Sequence, residues 1–356
     1  MVLGKCRGTT VRIATGFLFL FAVLASPASA AQDDGLAASA RRAAALLAAS
    51  QQAPGYWLTP GTSGLRFERP YLEMDTYLTP LIVDLLAPVA TKAGLAQNIS
   101  RARNEIAGQI EDTGLVRYYG RPDRPTRHAA ACTISPDADD TALAWRVGPG
   151  TDPRLLRNAL AVLDRYRTPE GLYRTWLAPR GQYQCIDVGK DPDPADIGIQ
   201  MHLVMFLAKT RPAEGRALCA ALQRSIADDR IWVYYKIAPL VPIIRQADLR
   251  KAGCPLQLPP SHLVSTVPGQ DVWLKAGTIL TRFSRARPPA GPEVASLLRE
   301  LARNDFAAVR SDPPLLYHND MTASTPGYYW SPEFGYALWL RLYFENLHHG
   351  RRAARS

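Results

Sequence analysis

The sequence predicts an all-α fold in which two kinds of helix alternate, one half-polar and one apolar on nearly every side. Three observations predict it. A unit of polar helix, glycine–aromatic turn, loop and apolar helix recurs along the chain. Aspartates precede the apolar helices of successive units. No alternating polar–apolar run competes with the helical period. Helices buried all round suit an inner ring and helices buried on one face an outer ring, so five or six pairs would close into an α/α toroid.

Ahead of the first unit, Lys5, Arg7 and Arg12 precede an apolar run over about 13–24, and Ala28-Ser29-Ala30 follows. That is the pattern of a secretory signal peptide over residues 1–30, since the apolar run is too short to span a membrane. The expectation is a secreted or periplasmic protein, with one domain over 31–347 and a basic flexible tail over 348–356. The full chain of 356 residues carries a formal charge of +10, and removing the three leader cations leaves about +7. This mild excess fits contact with a membrane surface or anionic glycans and is too diffuse for nucleic acid. Of five cysteines, Cys6 lies in the leader. The remaining four allow three connectivities, and the expected pairs are Cys132–Cys185 and Cys219–Cys254. A zinc site made of all four lacks any C-x-x-C spacing.

In order, an Ala/Leu/Arg helix over 36–50 ends at Gln51-Gln52-Ala53-Pro54-Gly55-Tyr56-Trp57. Met74-Asp75-Thr76-Tyr77 opens an apolar helix over 78–86. The second polar helix, near 99–110, turns at Gly114, and its apolar partner begins at Asp140-Thr141 and stops at Gly148-Pro149-Gly150. A third pair covers 155–166 and the apolar run after Asp196. A fourth polar helix over 214–226 precedes Trp232-Val233-Tyr234-Tyr235. Prolines interrupt 239–289, where no phase can be assigned. The last pair is a helix near 293–309 and another over 332–347.

The richest stretch is Ser135-Pro136-Asp137-Ala138-Asp139-Asp140-Thr141-Ala142. Ser135 can cap, Pro136 is preset for a first helical turn, and acids suit the positive end of the helix dipole. One aspartate per unit suffices for capping. Asp140 aligns with Asp75 and takes that role, leaving Asp137 and Asp139 as surplus whose mutual repulsion should raise at least one pKa. Asp191, Asp193 and Asp196 form a second acidic group. Facing the first across the ring's mouth, it would also suit glycosidic cleavage or, weakly, a divalent cation. His318-Asn319-Asp320 could add a base at the mouth, whereas His202, on an apolar helix, reads as a core histidine.

Arg42-Ala43, Leu46-Leu47, Gln51, Gly55 and Trp57 resemble the QW repeat of triterpene cyclases, with Leu46 where an aromatic usually stands. Asp137-Ala138-Asp139-Asp140-Thr141-Ala142 resembles the D-x-D-D-T-A motif of class II terpene cyclases of the squalene–hopene type. Together they point to the terpenoid cyclase and protein prenyltransferase superfamily of α/α toroids. The resemblance implies that Asp139 protonates a double bond of an isoprenoid or other lipid, with Asp137 and Asp140 supporting it. It implies a dry, aromatic cavity and no metal ion or organic cofactor. The residues expected around the substrate are Tyr119, Trp176, Asp196, His318, Asp320, Tyr329 and Trp330. Such cyclases usually set the motif between two helical domains, and this chain has room for one. Two other classes remain open on the residues alone: a glycan-active hydrolase or lyase, and a toroid that binds without catalysis.

Overall fold

The computed structural model describes residues 27–124, 133–149, 152–285, 289 and 291–353. Among these, eleven α-helices form: α1 (Pro27–Ser50), α2 (Leu78–Leu86), α3 (Ala96–Gln109), α4 (Ala138–Val147), α5 (Pro153–Arg165), α6 (Ile197–Thr210), α7 (Pro212–Ser225), α8 (Leu240–Lys251), α9 (Asp271–Arg282), α10 (Gly291–Ser311) and α11 (Pro332–Ala353). Burial follows the sequence pattern. α6 buries every side chain from Ile197 to Leu207, while α5 buries only Ala159, Leu160 and Leu163.

α2 packs on α4, α4 on α6, α6 on α8, α8 on α9, α9 on α11, and α11 returns to α2. The more polar helices lie against this closed succession: α1 on α11, α3 on α2 and α4, α5 on α4, α7 on α6, and α10 on α11. The unphased segment supplies α8 and α9. Their prolines sit at or near the ends, where a missing N–H costs little.

The Gln51–Trp57 segment shows how an outer helix is stitched inward. Gln51 Nε2 donates to the carbonyls of Gly55 (2.7 Å) and Asn98 (2.9 Å), and the Trp57 indole donates to Leu47 O (2.9 Å). The Trp57 amide in turn donates to Thr79 of α2 at 3.1 Å. Gly55 has φ +125°, and a Cβ there would stand 2.6 Å from Arg101 O, so only glycine lets the turn approach α3.

The all-helical expectation needs one correction. β1 (Leu58–Thr62), β2 (Tyr71–Met74), β3 (Leu315–His318) and β4 (Tyr328–Trp330) form an antiparallel sheet in the order β2-β1-β4-β3. Strands of three to five residues show no usable alternation. Their central pairing, Gly61 with Tyr329, joins opposite ends of the chain.

Cys219 and Cys254 form the expected disulfide, tying α7 to the turn after α8. Cys132, and residues 1–26 with most of the expected leader, lie outside the described residues. α11 runs to Ala353, past residue 348, where the sequence reading begins the tail. Among the described residues no helix is long and apolar enough to cross a membrane.

Candidate active site

Three aspartates accept backbone N–H groups at the starts of α2, α4 and α6. Asp75 Oδ1 accepts from Tyr77 (3.0 Å) and Leu78 (2.7 Å), Asp137 Oδ1 from Asp140 (2.7 Å), and Asp196 Oδ1 from Gly198 (2.8 Å). The cap of α4 is therefore Asp137, which corrects the alignment of Asp140 with Asp75. The chain is still extended at Asp137 (φ −127°, ψ 164°), bridged there to Val116 and Trp176, and by Asp140 it is already in the first turn. Asp139 and Asp140 are the residues that capping leaves over.

Asp139 is the most open of the three motif acids, with 13% of its side chain exposed. Its Oδ1 is hydrogen-bonded to Nδ1 of His202, a fully buried ring on α6. The opposite nitrogen, Nε2, receives the Nε–H of Arg245 at 3.0 Å. A guanidinium only donates, so Nε2 accepts and the imidazole proton sits on Nδ1, aimed at Asp139. Burial lowers the His202 pKa, despite the adjacent carboxylate, and the ring stays neutral.

Arg245 is fixed in turn. Its Nη1 donates to Asp84 and, at 3.1 Å, to Asp248, while Asp84 also accepts from Arg146 Nε at 2.9 Å. Burial works to raise the Asp84 pKa, but the Arg245 and Arg146 guanidiniums reverse it and hold Asp84 well below the usual carboxylate range. Side chains from α2, α4, α6 and α8 thus form one buried polar chain that ends on Asp139.

Asp137 and Asp140 are buried, and Asp140 Oδ1 has no hydrogen-bond partner. Burial first, then the charge of Asp137, pushes the Asp140 pKa far up. Burial raises Asp137 as well, against the donors that cap α4. Two carboxyls this close and this dry do not both ionise, and Asp140 is the one that burial and the Asp137 charge keep protonated.

The three acids open on a cavity of about 170 Å³ to whose wall Tyr77, Tyr118, Tyr119, Tyr235, Tyr317 and Tyr329 contribute rings. Tyr317 and Tyr329 stack with centroids 4.4 Å apart, and Tyr77 stands edge-on to Tyr317 at 5.0 Å and to His202 at 6.2 Å. Tyr77 and Tyr235 join hydroxyls beside the acid. Burial raises the pKa of both well above the ordinary phenol value, so these rings are neutral.

Of the expected binding residues, Tyr119, Trp176 and Tyr329 lie in the cavity wall with Asp137, Asp139 and Asp140. Asp196, His318, Asp320 and Trp330 do not. The second oxygen of Asp196 accepts from the amides of Val233 and Tyr234, both at 2.9 Å, so it ties α6 to the segment that presents Tyr234 and Tyr235. Burial leaves its pKa raised to about 7 despite those donors. Strand alternation turns His318 and Trp330 away, because they adjoin Tyr317 and Tyr329, which face the cavity, while Asp320 lies in the turn beyond β3. His318 bonds Asp320 at 2.5 Å inside the β3–β4 turn, and Trp330 donates to Thr62 at 2.8 Å within the sheet. Of the second acidic group, Asp191 lies in the wall of the same cavity as the motif acids, and Asp193 and Asp196 do not. Asp191 and Asp193 accept from the indole and the amide of Trp176, each at 3.0 Å. Among the described residues no group of three or more His, Cys, Asp or Glu is arranged to hold a metal ion.

His202, read from sequence as a core residue, is the partner of Asp139. Its signal was a lone imidazole near Gln200 in an otherwise apolar helix. Arg245 lies in the proline-broken segment and gave none.

No protein-family model matches the chain, and no curated protein matches it in sequence. Solved structures do resemble it. A variant of the type II terpene cyclase MstE from Scytonema, in complex with its substrate geranylgeranyl dihydroxybenzoate, matches with a TM-score of 0.56 at 14% identity, over 89% of this chain and 99% of that one. A second MstE variant, without ligand, gives 0.56 at 12% identity, over 89% and 98%. A protein from Actinoplanes gives 0.52 at 13% identity, over 88% and 99%. At such identities the likeness speaks for the fold, and the fold of this chain is terpenoid cyclase-like.

Proposed function

We propose that this chain is an exported, acid-initiated cyclase of an isoprenoid chain, built as an α/α toroid, with Asp139 as the proton donor. One observation carries the reading: a carboxyl oriented by a neutral His202, itself held by the Arg245 guanidinium, opens on a cavity that several tyrosines line. His202 donates to Oδ1, which leaves Oδ2 as the oxygen from which a proton is given. Transfer to an alkene carbon forms a C–H bond and leaves a tertiary cation, which the next double bond attacks to close a ring. The carboxylate left behind keeps the His202 N–H, a donor already in place before the charge develops. Phenol faces stabilise the moving cation, and an aromatic wall keeps out water that would capture it.

The substrate that the neighbouring cyclase holds, a geranylgeranyl chain on a dihydroxybenzoate, supports a polyprenyl substrate class here. The closed helix succession supports the toroid, and the Cys219–Cys254 bridge supports export. Glycosidic cleavage is less well supported. It needs two carboxyl groups placed on either side of a bond, whereas burial keeps Asp140 protonated, Asp137 caps α4, and Asp191, though in the cavity wall, accepts from the Trp176 indole. The cavity also counts against a filled, non-catalytic centre. Incubating the purified protein with geranylgeranyl dihydroxybenzoate and with squalene, and seeking isomers of unchanged mass, tests the proposal. Recovery of both substrates untouched would contradict it.

A further inference from the structure

A reaction begun by adding a proton to an alkene must dispose of a proton if it ends as an alkene. A second cluster at the same cavity has the chemistry for that step. Tyr118, in the cavity wall, donates to Glu73 Oε1 at 2.8 Å, reaches Asp75 Oδ2 at 3.2 Å, and touches the hydroxyl of Tyr317. Asp75 has a structural duty at the start of α2. Glu73 has none. It lies on the edge strand β2, buried, with no ion pair among the described residues, and its hydrogen bond is to Tyr118. An acid buried at such cost without a structural return calls for another explanation.

We propose that Tyr118, backed by Glu73, takes the proton from the final cation. This rests on the cyclase reading of the cavity. In the step, a C–H bond next to the cationic carbon breaks and its electron pair becomes the product's double bond. The proton goes to the Tyr118 oxygen as the Tyr118 O–H proton passes to the Glu73 carboxylate, leaving a neutral phenol and a neutral Glu73. Exchange with solvent water then returns Glu73 to carboxylate and Asp139 to acid, so each turnover is proton-neutral. Burial, followed by the charge of Asp75, raises the Glu73 pKa to about 8, so the carboxylate that accepts the proton is its major form only above that pH, and the comparison of variants is made there. The two ends are joined by rings. From His202, which holds the acid, centroid steps of 6.2 Å to Tyr77, 5.0 Å to Tyr317 and 6.2 Å to Tyr118 lead to the acceptor. Tyr118 is the group that meets the substrate, and Glu73 acts through it.

The test compares wild type, Glu73→Gln and Tyr118→Phe on geranylgeranyl dihydroxybenzoate and squalene, with products separated by mass. Both variants should still consume substrate, slowed less than about tenfold, since Asp139 starts the reaction. The ratio of water-captured alcohol, heavier by one water, to alkene isomer should rise at least tenfold. Tyr118→Phe keeps the ring and its packing, so it decides the matter if Glu73→Gln does not fold. Turnover with the wild-type product ratio in a folded variant overturns this proposal alone. No turnover of either substrate by wild type overturns the cyclase reading and this proposal with it.

Discussion

The imidazole of His202 donates through Nδ1 to Asp139 and accepts through Nε2 from Arg245, 3.0 Å away. An arginine 43 residues downstream of that histidine thus decides which nitrogen carries the proton, and so which oxygen of Asp139 is left free. Asp139, on α4, is oriented by side chains of α6 and α8.

Arg245→Met should therefore harm both stability and turnover. Asp84 keeps only Arg146, and breaking a buried ionic network in this way costs about 3–5 kcal/mol. With Nε2 unpaired, the His202 proton is no longer confined to Nδ1, and turnover should fall on the order of 10²-fold. Urea unfolding and initial rates measure the two effects. Wild-type values in both would remove Arg245 from the account.

The exchange of roles between Asp137 and Asp140 leads to an opposite pair of outcomes. Asp137→Ala removes the cap of α4 and should cost about 0.5–2 kcal/mol. Asp140→Asn replaces an acid that burial keeps protonated and that has an unpartnered oxygen, so stability should change by less than about 1 kcal/mol. A larger loss from Asp140→Asn than from Asp137→Ala in urea titrations would restore the cap to Asp140.

Stability should fall as pH rises from about 5 to about 8. Asp196 and Glu73 have pKa values raised by burial to about 7 and about 8 in the folded state. A carboxyl raised in this way favours the folded state below its unfolded pKa, about 4, and that contribution is lost as pH rises through the folded value. With about 1.4 kcal/mol per pH unit for each group, the loss over this window should be on the order of 6 kcal/mol. Asp84 is shifted the other way, and its contribution is lost only in acid. Thermal melts at the two pH values measure the balance, and a higher Tm at pH 8 would contradict it.

Gly55→Ala should destabilise by about 2–4 kcal/mol, because the turn needs φ +125° and a Cβ would meet a backbone oxygen of α3. A melt shifted by less than 1 °C would show that the turn relaxes freely.

Much of this organisation is legible in the residues because helical burial repeats. α2 begins and ends where apolar spacing places it, and Asp137, Asp139 and Asp140 stand out by density of charge. That the cap falls on Asp137 rather than Asp140 is not legible there, because only backbone dihedrals reveal which residue is still extended. The sheet escaped notice because pairs such as Gly61–Tyr329 carry no local signal, and with it went the knowledge that Tyr317 faces the cavity while His318 does not. Arg245 and Asp84 are 161 residues apart, each unremarked on its own helix, and only packing brings them together. Long-range polar pairs have no period, so a single sequence does not display them.

The central claim is that Asp139 delivers the proton that starts the reaction. Turnover of geranylgeranyl dihydroxybenzoate in D2O, followed by mass spectrometry of the cyclised isomer, tests it most directly. Wild type should incorporate one deuterium per product molecule, and Asp139→Asn, folded with an unchanged melt, should give no product. Deuterated product from Asp139→Asn at the wild-type rate would place the acid elsewhere and contradict the account.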